Sequence, residues 1–595
     1  ALRAARLHLE QGRLEDYGRM LKSAVQLDET HKAAAIEAYR FLQDRGAGGV
    51  EVAQALLNVA AADPSDGDAH AEIATLLLSC GSYTQAVEWF GTASALWGYQ
   101  GLPPAGQVLD AAYDWALSLW GAGRGDEALT FIDSFVKGWA PQEETSMPAS
   151  LAMLVAAIHH SAGREAEAAT AYQVLAETLR GRGRAEQDAE NPDRMVDRVW
   201  AAVLLNQEIE AIKPLLDQLE RRLPAESPIL VRLRGWWMLR AGQREPARQA
   251  LAACAETDPL CRLGLALAQE PDQRDRQVEL LQQVFVAAPG SLAGVLAVDH
   301  LHRLEARPQQ PPECVSITRL VAQVPLEVRS LASQANRVVM LRLRPLSPAV
   351  GYAEPPQFQV DLINLSPLPL SLGPGGTLPS DVMLVTRASI GGTEVTEYQP
   401  LNLHRRLRLN PNEAVSAKVT VDHGSVAQVL ATNPTQAAKL ATSAVLNPRM
   451  TVEGDFVPGL LGTLSIAPAV QRSPRRATPE TIEAALTKLE ADAAAADQAE
   501  QLRTAAWLAR IAAQAETTAE HKSRITAALR QAWQQWPNTQ RAWLISRLPV
   551  GAEADQTFAT LIDAAVNSDD PLVQTALLLT RATDPQSLVL LAALR

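Results

Sequence analysis

Hydrophobic positions change period twice along the chain. From the start to about residue 304, apolar residues recur three and four apart, the spacing of one helix face. The stretch 68–97 shows this most plainly. Ile73, Ala74 and Leu77 share a face, Gly81 interrupts, and Ala86, Trp89, Phe90 and Ala93 share the next face. Glycine accepts the left-handed dihedrals that end a helix. Small residues such as Ala74 and Ala86 let two helices approach closely. The pattern predicts two helices around a tight turn, with Trp89 and Phe90 as wedges between stacked helices. It recurs at Gly12 before Tyr17 and Leu21, Gly123 before Ala128 and Ile132, Gly163 before Ala168 and Tyr172, and Gly242 before Ala247, Leu251 and Cys254. Asp258-Pro259 closes the last copy.

The period then shortens. After the proline-rich linker "EARPQQPPE" at 305–313, Val339, Leu341 and Leu343 alternate with Met340, Arg342 and Arg344, and Phe358, Val360 and Leu362 follow the same rule. Strict alternation between Pro, Gly and Asn turns predicts strands. Residues 313–470 therefore read as an antiparallel β-sandwich of roughly seven or eight strands. Residues 424–448 fit strands poorly and suggest a helical insertion at one end. Past "VQRSPRRATPE" helical spacing returns over 479–595, with Pro479 suited to a first helical turn. Asp570 is placed to cap a helix opening at Pro571.

The glycine-centred copies resemble the tetratricopeptide repeat family. Gly81, Ala86 and Ala93 match its small-residue positions, as do Gly242, Ala247, Cys254 and Pro259; Gly123, Ala128, Gly163 and Ala168 mark further copies. The resemblance implies an α-solenoid over residues 1–304, of six to eight repeats by our reading of roughly 34-residue units with longer loops. Such repeats bury their apolar faces only by stacking, and they leave an extended surface for partner proteins. "VDLINLSPLPLSL" with the later "LRLNPNEAVSAKVTV" resembles the Ig-like sandwiches of adaptor and ear domains. Asp569-Asp570-Pro571-Leu572-Val573 with Ala576 resembles the start of a HEAT-type helix. The fold class is thus multidomain: α-solenoid, Ig-like β-sandwich and α-helical C-terminal domain.

Composition narrows the function. Of 595 residues 47% are hydrophobic and the formal net charge is -13, which supports sizeable cores and argues against a nucleic-acid surface. Four cysteines without a CxxC pair predict buried free thiols at Cys80 and Cys254 and reducing, cytoplasmic surroundings. No run reaches the roughly 20 apolar residues of a membrane span, and no leader segment opens the chain; segments beyond Ala1 and Arg595 are left open. "LGPGGT" lacks the lysine and helix of a phosphate-binding loop. His159, His160, His300 and His302 find no partner spacing for a metal. No cofactor or catalytic residue is implied. The basic run at His404, Arg405, Arg406 and Arg408 offers an anion, lipid head group or acidic partner a contact; the plainer reading is a solvent face alternating with Leu407 and Leu409. Trp533, Trp536 and Trp543 read as core first and ligand platform second. The reading favoured by the sequence is a non-catalytic interaction scaffold or assembly subunit with one or more protein partners. The alternatives are a coat-like peripheral membrane protein and a secreted glycan-binding accessory protein.

Overall fold

A computed structural model describes residues 1–99, 109–139, 147–180, 192–270, 272–330, 335–352, 354–373, 376–403, 407–490, 498–549, 552 and 556–581. The chain divides into two compact units. The first comprises residues 1–335 and 367–378, the second 336–366 and 379–595.

The first unit is a run of helical hairpins: α1 (Leu2–Glu10) with α2 (Leu14–Leu27), α3 (Lys32–Asp44) with α4 (Gly49–Ala62), α5 (Gly67–Ser79) with α6 (Tyr83–Tyr99), α7 (Leu109–Gly121) with α8 (Gly125–Trp139), α9 (Ala149–Ser161) with α10 (Glu165–Arg180), α11 (Pro192–Leu204) with α12 (Ile209–Arg222), α13 (Pro228–Arg240) with α14 (Arg244–Ala252), and α15 (Pro259–Leu267) with α16 (Arg274–Ala287). Helices α17 (Leu292–Arg303), α18 (Pro312–Ala322) and α19 (Leu326–Ser330) follow. The turns share one geometry. Gly12, Gly81, Gly123, Gly163 and Gly242 all have φ between 69° and 78°. At Gly81 the amide bonds to the Leu78 carbonyl at 2.9 Å and the Ser82 amide to Leu77 at 2.9 Å, so two otherwise orphaned carbonyls are satisfied. Five residues on, Ala86, Ala128, Ala168 and Ala247 are fully buried. The copy that lacks a glycine uses Asn206, with φ of 54°.

Three expectations change in this unit. Pro259 opens α15 at its first turn, with the Asp258 carboxylate accepting from the Leu260 amide, so the hairpins continue past it. Residues 312–322 are helix α18 rather than the start of a β domain; Pro311 and Pro312 serve as a helix entry. Cys254 is not a free thiol. It forms a disulfide with Cys261, tying the end of one hairpin to the start of the next. The sequence hid this pair because a spacing of seven matches no familiar cysteine signature.

The last helices of this unit fold back on the early ones. Gly290 approaches α5 so closely that a Cβ would stand 2.9 Å from the Ser79 Cα. The Tyr83 hydroxyl donates to the Pro289 carbonyl at 2.8 Å. The Glu313 carboxylate accepts from the Gly49 amide at 2.8 Å. α17 lies across the ends of α7, α9, α13 and α15, burying Val295, Ala297, Val298 and Leu301. Aromatic rings run from one hairpin into the next: Phe90 on α6 to Trp115 on α7 at 6.3 Å, Trp115 to Phe131 on α8 at 4.3 Å, and Phe131 to Phe135 along α8 at 6.2 Å. Trp89 and Phe90 are both buried in this core.

After the short α20 (Ala335–Val338), the chain supplies β1 (Val339–Pro345), β2 (Ala349–Val350), β3 (Gln357–Asn364), β4 (Leu370–Ser371), β5 (Asp381–Ile390), β6 (Thr393–Asn402), β7 (Arg408–Leu409), β8 (Ala414–Thr420), helix α21 (Gly424–Thr432), β9 (Ala438–Leu446), β10 (Pro448–Met450), β11 (Phe456–Pro458), β12 (Leu464–Ile466) and β13 (Val470–Arg472). β4 lies in the segment that belongs to the first unit. In the second unit one antiparallel sheet runs β1-β3-β8, and a larger, mostly antiparallel one runs β2-β13-β9-β5-β6 with β12 also on β9. Val339, Leu341 and Leu343 are buried and Met340, Arg342 and Arg344 are not, as alternation requires. The expected helical insertion at 424–448 is only half helix. α21 ends at Thr432, and β9 is an interior strand of the larger sheet. Of its inward residues Ala438, Leu440, Thr442, Ala444 and Leu446, three are small or polar, so their alternation is faint in the sequence.

Helices α22 (Pro479–Glu490), α23 (Gln498–Ala512), α24 (Ala519–Gln535), α25 (Asn538–Arg547), α26 (Ala559–Val566) and α27 (Pro571–Arg581) complete the second unit. The Asp570 carboxylate accepts from the Leu572 and Val573 amides, capping α27. Trp533 and Trp536 are buried in the core of these helices, whereas Trp543 is half-buried beneath the Arg547 guanidinium. The helices and sheets of this unit are joined by specific polar contacts. The Trp507 indole donates to the Arg475 carbonyl, and Arg475 lies 4.3 Å over the same ring. Arg472, buried at 3% exposure, donates to the Leu430, Asn433 and Gln436 carbonyls at the end of α21.

Candidate functional site

Two places in the molecule are candidate sites. The first is a cavity of about 390 Å³ in the hairpin unit, where α17 crosses α9, α13 and α15. Its titratable lining is Arg240, Arg244, Arg303, Asp299, His160 and His300. Arg240 donates from Nε to the Val203 carbonyl and from Nη2 to Leu204, closing the C-terminus of α11 while lying over Trp236. Burial lowers its pKa to about 10. Arg303 pairs with Asp299 and with Ser161. Burial, reinforced by the Arg303 charge, lowers the His300 pKa to about 4, so its imidazole is neutral at physiological pH. Arg240 holds a helix end and Arg303 pairs with Asp299 at the exposed rim. That is the work of a helix junction.

The second place is the outer face of the larger sheet. In register across it, Ile466 stands opposite Ser443, Ser443 opposite Val385, and Val385 opposite Tyr398. The next row carries Leu464, Val445, Met383 and Pro400, of which Val445 is buried and Met383 half-buried. Directly opposite residues on antiparallel strands share a face, so the apolar members form one patch. Phe456 on β11 extends it, its ring 5.4 Å from Tyr398, with Met450 as its cross-strand partner. Ile466 is 73% exposed, Met450 66% and Leu464 50%, and Val452 at the adjoining turn is wholly exposed. Further along the face the residues turn polar, with Arg387, Lys439 and Glu394. A clustered apolar surface with a polar border is unlike the scattered apolar residues of an ordinary protein exterior.

Of the basic run, Arg405 and Arg406 lie outside the described residues. Arg408 is exposed on β7 beside the buried Leu409, but Leu407 is 85% exposed and does not share that buried side. Among the described residues no group of three metal-ligating side chains comes together, and no helix is long and apolar enough to cross a membrane. The sequence reading missed the sheet patch. Its signal was present as apolar residues on the wrong parity: Tyr398 in "TEVTEYQPLN", and Leu464 with Ile466 in "GTLSIAP".

No protein-family profile matches the chain, and no curated protein matches it. Among solved structures, the TPR domain of P58(IPK) aligns with 56% of this chain and 96% of its own length at 13% identity, with a TM-score of 0.15. The Pseudomonas fluorescens alkylpurine DNA glycosylase AlkC, bound to DNA containing an abasic site analog, aligns with 60% of this chain and 99% of its own at 12% identity and a TM-score of 0.13. At these scores neither likeness bears on function. The description of the first unit as consecutive helical hairpins rests on its own geometry.

Proposed function

We propose that the chain is a non-catalytic interaction scaffold, with a tetratricopeptide-like hairpin unit and a second unit combining an Ig-like sandwich with HEAT-like helices. The partner is a protein, and the outer face of the larger sheet receives it. One observation carries this reading: the clustered apolar surface of Ile466, Leu464, Tyr398 and Met450, all exposed, with Val385 and Phe456 half-buried among them, on a sheet whose interior strands β5 and β9 bury their other face. Exposing this area to water is unfavourable by about 25 cal/mol per Å², and covering it favours association. The hairpin unit supports the same reading from the other direction. Helix α17 and the segment after it occupy the ends of several hairpins, so an extended peptide has less of that surface to enter.

The test is purification of the full chain from its native source, compared with an Ile466→Lys/Val452→Lys variant. The expected result is a stoichiometric partner protein retained by the natural chain and lost by the variant, with both chains equally folded by circular dichroism. Elution of the natural chain alone, or equal retention by both, overturns the reading.

A further inference from the structure

The two cysteines outside the Cys254–Cys261 disulfide are far apart in sequence but meet where the chain folds back. Cys80 ends α5, and Cys314 lies in the first turn of α18. Three contacts on one side of the α18 segment fix their approach. The Gln310 side chain, 230 residues from Cys80, donates to the Cys80 carbonyl at 2.9 Å and to the Ser82 hydroxyl at 2.8 Å. The Thr318 hydroxyl meets the Ser82 hydroxyl at 2.6 Å. Cys314 and Thr318 are four apart on α18 and so share a face, while Gln310 holds the segment just before the helix to the same turn, which places Cys314 between the two anchors. The same contacts bring the Cys314 thiol beside that of Cys80, close enough to act on its ionisation. Both are free thiols in this structure; Cys80 is buried and Cys314 partly exposed.

We propose that Cys80 and Cys314 form a second disulfide, a covalent clasp that fastens α18 to the α5–α6 turn and closes the return of the chain on itself. The oxidant is a small-molecule disulfide such as glutathione disulfide. The Cys314 thiolate attacks one sulfur of that molecule and expels a thiolate, giving a mixed disulfide. The Cys80 sulfur then attacks Cys314 Sγ and expels the second thiolate. Two protein thiols become one disulfide, one glutathione disulfide becomes two glutathiones, and the two protons pass to the released sulfurs. The order follows from access and ionisation. Burial, followed by the neighbouring Cys314 sulfur, pushes the Cys80 thiol up to about 12, so the more open Cys314 leads the attack. With the clasp formed, every cysteine in the sequence is paired. This is the arrangement of a chain suited to oxidising surroundings, opposite to the reducing surroundings expected from its low cysteine content.

The experiment uses the full chain, reduced and then equilibrated with glutathione disulfide under native conditions. The exchange is quenched with acid, free thiols are alkylated as the chain is denatured, and peptides are mapped by mass spectrometry. The expected result is a crosslinked peptide pair containing Cys80 and Cys314, two hydrogens lighter than the separate peptides. The crosslinked chain should melt several degrees above Cys314→Ser treated in the same way, because closing a long loop restricts the unfolded chain. Recovery of Cys80 and Cys314 as separate alkylated or glutathionylated peptides overturns the proposal. The peptide map of the natural chain alone decides the matter if Cys314→Ser does not fold.

Discussion

The turns at Gly81 and Gly163 have nearly the same backbone but different surroundings. Both glycines adopt left-handed φ, 69° and 72°, and both close a helix hairpin with the same pair of backbone hydrogen bonds. A Cβ at Gly163 would meet nothing within 4 Å. A Cβ at Gly81 would stand 2.5 Å from the Phe285 ring and 3.3 Å from Pro289. The turn at Gly163 is a local device; the turn at Gly81 is also a seat for the returning chain. Identical local sequence grammar therefore carries two different loads, and only long-range packing separates them.

That comparison can be broken by substitution. Gly81→Ala should lower the stability of the hairpin unit by roughly 2–5 kcal/mol, combining left-handed strain with overpacking against Phe285. Gly163→Ala should lose only the strain, about 1–2 kcal/mol. Thermal melts of the full chain should rank them in that order, and equal losses would show that the Phe285 contact carries no weight. Acid sharpens the same region. His70 in α5 is fully buried against Trp89, with Nε2 3.0 Å from the Pro64 carbonyl. Burial lowers its pKa from 6.5 to about 4, against the attraction of Asp66 and Asp63. Above pH 6.5 it is neutral in both the folded and the unfolded chain. As pH falls from 6.5 towards 4 only the unfolded chain takes the proton, so stability falls and about 3 kcal/mol is lost by the end of that window. Denaturant midpoints measured across that range should fall less steeply in His70→Gln than in the natural chain.

Smaller effects test the glycine-free turn. Asn206 holds the left-handed position that glycine holds elsewhere. Asn206→Ala should cost about 1 kcal/mol, while Asn206→Gly should stay within a few tenths. The smallest stability change is expected on the open sheet face, where Ile466→Lys should alter the melting temperature by less than the equivalent of about 0.5 kcal/mol.

The sequence made local helix-hairpin geometry legible because its signals are local. A glycine at the turn and an alanine five residues later each answer to neighbours within one hairpin. The alternation of Val339, Leu341 and Leu343 was legible for the same reason, since one face of β1 is buried. The long-range features were not. Nothing around Pro289 or Gly290 announces the turn at Gly81, and a seven-residue cysteine spacing does not announce a disulfide. β9 stayed hidden because Ala438 and Ala444 give little contrast with their polar neighbours. The sheet patch was legible only in retrospect, because a strand with apolar residues on both parities reads as buried on both sides until the register is known.

The central claim is that this chain is built to hold a partner protein on the exposed face of its larger sheet. The most direct measurement is hydrogen exchange on the chain purified with its native partner, compared with the chain alone. The account predicts slowed exchange in the partner-bound state over β6, the β10–β11 turn and β12, with the outer surfaces of the helical hairpins unchanged. Protection confined to the hairpins, or no difference at residues 393–402 and 450–466, would contradict it.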